Sequence, residues 1–145
     1  MLSPVLKPFS LFVVLLLASI AMLSEELPHL PKPVIPALPS LTHNAGYIFS
    51  GKVKAVERIA PSATDSVPVM RITFQVEKGF RGVRSGQELV IREWASLWRS
   101  GERYRPGERV MLFLYPPSKL GLTSPVGGEL GRFGIDPGGR VIIPR

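Results

Sequence analysis

The chain contains no cysteine. That excludes a disulfide scaffold, a thiol nucleophile and every thiolate metal site. Histidine is almost as scarce. His29 and His43 are the two, and both precede the region that reads as folded. From Ala45 onward there is no imidazole, which removes Ser-His-Asp catalysis, histidine general-base chemistry and the usual zinc sites together. Aspartate is limited to Asp65 and Asp136, both in turn-like surroundings. No metal constellation is visible. These absences predict a protein that is not an enzyme and that has no cofactor, no catalytic residues and no metal site.

The 145 residues allow one domain at most, with room for a leader. Met1 to Leu23 reads as an export signal. Lys7 supplies the positive n-region, and Phe9 to Leu23 is the apolar stretch. Ser19-Ile20-Ala21 offers small residues for cleavage after Ala21, with Met22-Leu23-Ser24 as a poorer choice. The run is shorter than the roughly 20 apolar residues that a membrane anchor needs. An uncleaved N-terminal anchor, which would keep the domain near a membrane, is the alternative. The expected location is the periplasm, the cell envelope or the medium.

Residues 24–44 read as a proline-rich linker. Pro28, Pro31, Pro33, Pro36 and Pro39 recur every two or three residues, a spacing that forbids a helix and favours polyproline II. Such a segment is a semi-rigid stalk. Residues 45–145 then carry a β pattern. Tyr47 to Ile59 reads as a long strand, with Phe49, Gly51, Val53 and Ala55 on one face. Gly51 in mid-strand predicts a bend or the close approach of another backbone. Val69 to Glu77 alternates, with Met70, Ile72, Phe74 and Val76 inward, and Lys78-Gly79 and Arg81-Gly82 are expected to break the chain. Glu88 to Trp94 is a third strand, and Ala95 to Ser100 a short helical turn carrying Trp98. Arg105-Pro106-Gly107-Glu108 fits a type II turn. Val110 to Tyr115 is continuously apolar and predicts a central strand covered on both faces. Gly131 to Ile135 and Arg140 to Ile143 make a closing hairpin. Five or six short strands and at most one short helix define an all-β barrel of about 100 residues.

Three fragments carry a family likeness. Phe49-Ser50-Gly51-Lys52-Val53, Phe74-Gln75-Val76-Glu77 leading to Phe80-Arg81-Gly82, and Gly101-Glu102-Arg103-Tyr104 through Leu112-Phe113-Leu114 resemble strand segments of netrin-type modules, which include the tissue inhibitors of metalloproteinases. The resemblance spans roughly Ala45 to Phe133 and implies a small five-stranded OB-type barrel. Family inhibitors are stapled by cysteines and reach their enzyme's metal through an N-terminal cysteine. This chain has neither. The resemblance therefore implies the fold of a cysteine-free, bacterial-type exported relative, without that inhibitory mechanism.

Two segments are candidate binding surfaces. In Ser118 to Phe133, Gly127 and Gly128 permit positive φ and close approach of backbone N–H groups, Thr123 and Ser124 offer hydroxyls, and Arg132 suits a carboxylate or phosphate. The plain alternative is a glycine-rich connection between strands. Trp94, Trp98, Arg103 and Tyr104 form the second candidate, since aromatic rings interleaved with arginines build stacking platforms. There the alternative is that the tryptophans plug the core. Glu93, Glu102 and Glu108 lie among arginines, and ion pairing explains them better than acid–base chemistry. The net charge of +7 falls to +6 if Lys7 leaves with the leader. Interspersed signs fit a mixed solvated surface, or else affinity for an anionic envelope polymer or lipid head group; nucleic acid is the least available partner after export. The resulting expectation is a non-enzymatic envelope module that binds a protein or an anionic polymer. A protease-inhibitor-like role, or a hydrolase built on Ser124 with Lys119, is the alternative.

Overall fold

The computed structural model describes residues 37–63 and 66–143. The expected signal segment and most of the linker lie outside this range. The described chain is mostly β: one six-stranded antiparallel sheet in the order β3-β2-β1-β4-β5-β6, with one α-helix. The strands are β1 (Tyr47–Ile59), β2 (Val69–Arg81), β3 (Glu88–Trp94), β4 (Arg109–Leu114), β5 (Arg132–Ile135) and β6 (Val141–Ile142). Helix α1 (Leu38–Asn44) precedes them. Short 3-10 turns cover Ala95–Trp98 and Gly128–Gly131.

The two faces of the sheet have separate cores. Phe49, Val53, Ile72, Phe74, Val76, Ile91, Tyr104, Val110, Leu112 and Leu114 fill the larger one. Leu41, Ala45, Ile48, Phe113 and Val126 form a smaller cluster on the opposite face, with Met111 and Phe133 packed against it. β4 serves both: Val110, Leu112 and Leu114 point one way, Met111 and Phe113 the other. A strand buried on both faces has no polar side to alternate with, which is why its sequence is continuously apolar.

Gly51 sits at a register slip between β1 and β2. A Cβ there would lie 2.5 Å from the carbonyl oxygen of Gln75, so only glycine lets the two backbones meet. The Arg105–Glu108 turn forms as the sequence requires, with Gly107 at φ 88° and the Glu108 N–H donating to the Arg105 carbonyl at 3.0 Å.

Three expectations need correction. The proline-rich stretch is helical at its end, through Asn44, and the folded residues reach back to at least Ala37. Pro39 stands in the first turn of α1, where the backbone N–H has no intrahelical partner to lose, so proline there does not break the helix. Burial of Leu41 then fixes the helix to the sheet. Arg81 donates from its guanidinium to the carbonyls of Thr42 and Ala45, satisfying the exposed C-terminal end. His43 consequently lies on an exposed helix rather than in a stalk. Second, β2 does not stop before Lys78-Gly79. It pairs with β1 as far as Ile48↔Arg81, absorbing Gly79 at another register slip. Third, six strands form, within the five or six that the residue pattern allows but not the five that the family resemblance implies.

Candidate functional site: a buried carboxylate and an apolar groove

Alternation along β3 carries Ile91, Glu93 and Ala95 to the core side. Glu93 is therefore fully buried. An isolated carboxylate in such a place is strongly disfavoured, so its partners decide whether it is tolerated. Trp98 donates its indole N–H to one oxygen at 3.0 Å, and Tyr104 donates its hydroxyl to the other at 3.1 Å. Arg103 Nε lies 3.7 Å away. All three groups belong to the single connection between β3 and β4. Arg132 closes the cluster from β5. Its guanidinium carbon stands 5.4 Å from the centre of the Tyr104 ring, and Nη2 donates to Glu108 at 2.6 Å. The Nε atoms of Arg103 and Arg132 are buried and make no hydrogen bond among the described residues. Burial raises the Glu93 pKa above the ordinary carboxylate value, against the lowering pull of Arg103, Trp98, Tyr104 and Arg132. Burial, followed by the nearby Glu93 charge, pushes the Tyr104 hydroxyl well above its usual value.

Of the aromatic and arginine candidates, Trp98, Arg103 and Tyr104 are thus turned inward. Tyr104 is buried, Trp98 packs half-buried against the large core with its ring 5.7 Å from that of Tyr104, and Arg103 is 11 % exposed. Trp94 is half-buried and faces Val69 across the β2–β3 ladder. The cluster brings Trp98, Arg103, Tyr104 and Arg132 together around Glu93. Trp94 is not among the groups that contact the carboxylate. By residue type Glu93 reads as an ion-pairing carboxylate, which it is, and the fold makes it the hub of the cluster. The signal was there: in a strand reading Ile91-Arg92-Glu93, the period of two sends Glu93 the same way as Ile91.

The glycine-rich segment also has an internal assignment. The Thr123 N–H donates to the Arg92 carbonyl on β3 at 2.9 Å, and the Tyr115 N–H donates to the Ser124 carbonyl at 3.0 Å. Pro125 bridges Leu114, and the Val126 N–H donates to the Phe113 carbonyl at 2.8 Å. The Thr123 hydroxyl donates to the Tyr115 carbonyl at 2.6 Å. The segment therefore runs between β3 and the end of β4. Gly127 and Gly128 adopt φ of 65° and 66° and turn the chain into the second 3-10 turn. Close approach is required at Gly131, where a Cβ would meet Val126 and Phe113 backbone atoms, so the backbone it accommodates is the protein's own.

The surface charge is extensively paired. Arg71 meets Glu57, Arg105 meets Glu102, Arg109 meets Glu77, Arg140 meets Asp136 and Lys54 meets Glu88, each within 3.2 Å. Against this stands an apolar groove of about 280 Å³ that no sequence pattern announced. Leu38 and Leu41 of α1, Met111 and Phe113 of β4, Leu130, Phe133 of β5, Val141 and Ile143 line it, and Glu129 supplies its one carboxylate among the described residues. Leu130 is 58 % exposed, and Val141 and Ile143 are exposed beside it. Among the described residues no helix is long and apolar enough to cross a membrane, and no cluster of three metal-ligating side chains occurs. No protein-family model, curated protein or solved structure matches the chain.

Proposed function

We propose that this is an exported, non-enzymatic binding module of the cell envelope, and that its ligand is a protein taken up in the apolar groove. The groove is the observation that carries the reading. Contiguous exposed apolar surface bounded by polar residues marks interaction sites in soluble proteins. The alternative ligand, an anionic polymer, needs clustered unpaired cations. Here most arginines near the two candidate surfaces read from the sequence already hold carboxylates: Arg103 with Glu93, Arg105 with Glu102, Arg132 with Glu108.

The scaffold in this reading is an OB-type barrel of the netrin kind. Its support is the segment from Leu122 to Val126, which hydrogen-bonds to β3 at one end and to β4 along its length, joining the two sides of the large core. Export rests on the sequence of Met1 to Leu23.

A photo-crosslinking amino acid at position 130, expressed in the native cells, tests the ligand class. The expected result is a discrete protein adduct from position 130 and none from position 90 on the outward side of β3. Retention of the purified chain on immobilised polyphosphate or sulfated polysaccharide at physiological salt, with no adduct at position 130, would replace the protein ligand with an anionic polymer.

A further inference from the structure

The groove ends at β6, which has β5 on one side and no strand on the other among the described residues. We propose that the partner binds as an extended strand, antiparallel to β6, with long apolar side chains at alternate positions leaning into the groove. This rests on the binding-module reading and specifies its ligand.

The hydrogen-bonding phase of the β5–β6 hairpin supports the mode. The Asp136 N–H donates to the Arg140 carbonyl at 2.9 Å, so residues 136 and 140 form a hydrogen-bonded pair. Antiparallel ladders alternate, so Ile135↔Val141 is a non-hydrogen-bonded pair and Gly134↔Ile142 is hydrogen-bonded. The backbone N–H and C=O of Val141 and the N–H of Ile143 consequently face away from β5, toward the open edge. The same two residues line the groove. Ile142 packs its side chain beside Gly134 instead. A strand added at this edge meets backbone donors and acceptors at Val141 and Ile143, and its residues opposite them share the groove face. Main-chain bonds then supply affinity and the groove supplies selectivity.

Side-chain length and charge define the guest. Adjacent strands lie about 4.8 Å apart, so a side chain on the guest reaches the groove only if it is long, as in leucine, methionine or phenylalanine. A second copy pairing through its own β6 would offer only valine and isoleucine on that face, already lining its own groove, and only two ladder residues. Among the described residues the one carboxylate in the lining is Glu129, whose side chain is 76 % exposed and whose ion pair with Arg132 is loose at 3.9 Å. Charge complementarity therefore asks for a lysine or arginine beside the apolar residues. The occupant is a foreign segment with alternating long apolar residues and a flanking basic one.

The test uses a fluorescein-labelled ten-residue peptide, leucine alternating with threonine and lysine at each end, titrated with the purified chain by anisotropy. Saturable binding is expected, at least tenfold weaker for a control of the same composition with contiguous leucines. N-methylation of the leucines removes the N–H groups that face β6 and should weaken binding at least tenfold, whereas N-methylation of the threonines should leave it within about twofold. This comparison leaves the protein unaltered. Val141→Pro should match the leucine methylation, and Glu129→Gln should weaken binding about threefold at low salt. Absence of binding, equal loss from both methylations, loss only from the threonine set, or a dimer by sedimentation that Val141→Pro dissociates would each overturn strand addition. An adduct at position 130 in cells would survive those failures and keep the broader reading, while loss of that adduct too would end both.

Discussion

The two faces of the sheet distribute polarity in opposite ways. The large core encloses a carboxylate and draws an indole, a phenol and an arginine toward it. The small face leaves apolar side chains open between α1 and β4–β6. A buried charge is structural when its partners are already in place, and an exposed apolar surface is informative when no partner is present. Trp98, Arg103, Tyr104 and Arg132, which look functional by type, are engaged inside the fold. The surface that looks functional is made of residues ordinary by type.

The largest expected effect lies on the first side. Glu93→Ala leaves Arg103 nearly buried beside an empty position. It should cost about 3–5 kcal/mol, the range for breaking one side of a buried pair. Urea unfolding measures this, and a loss under 1 kcal/mol would show that the carboxylate is not the hub. Next comes the anchor of the second side. Leu41→Ala should cost about 2–4 kcal/mol by emptying the centre of the small cluster. Tyr104→Phe follows, at about 1.5–3 kcal/mol for a hydrogen bond to a charged group. Leu130→Ser is the smallest. It should change stability by no more than about 0.5 kcal/mol, since the side chain is largely solvated. If Leu130→Ser destabilises as much as Leu41→Ala, the groove is core and the contrast between the faces collapses.

Acid titration sharpens the same comparison with a change of sign. The folded-state pKa of Glu93 is raised, so the folded protein holds that proton to higher pH than the unfolded chain. Its contribution favours folding near and below the ordinary carboxylate value, about 4.5, and declines as pH climbs through the raised folded value. Asp136 and Glu57 behave oppositely. Asp136 is lowered chiefly by its backbone hydrogen bond to Arg140, and Glu57 by its hydrogen bond to Arg71. Their small contributions are present above the ordinary value and fade as pH falls through the lowered one. Wild type should therefore lose stability relative to Glu93→Gln as pH rises from 4.5 toward neutrality, read as a falling difference between the wild-type and variant unfolding midpoints. A difference that is flat or reversed across that window would remove the burial-dominated account of Glu93.

Much of the sheet could be read from residue order. β1 and β3 have the expected ends, and the inward set Met70, Ile72, Phe74 and Val76 is buried. β4 is covered on both faces, as its unbroken apolar run requires. Helix α1 was missed because proline was judged by frequency rather than by its place in the first turn. The groove was missed for a different reason. Its lining comes from residues 37–41, 111–113, 129–133 and 141–143, which meet only after the sheet is assembled. Periodicity reports which way a side chain points within one element. It carries no information about which faces several distant elements leave uncovered.

The strand order also bears on the timing of folding. β1 lies between β2, which follows it directly, and β4, whose Leu114 pairs with Tyr47 across more than sixty residues of sequence. As the chain emerges from its N-terminal end, β1, β2 and β3 can pair while the far edge of β1 has nothing to bond. During that interval Phe49 and Phe74 lack the cover of Tyr104 and Leu112. Non-local pairing of this kind makes folding slow and leaves a sticky intermediate. The fold is therefore most vulnerable to aggregation before its last third has been synthesised.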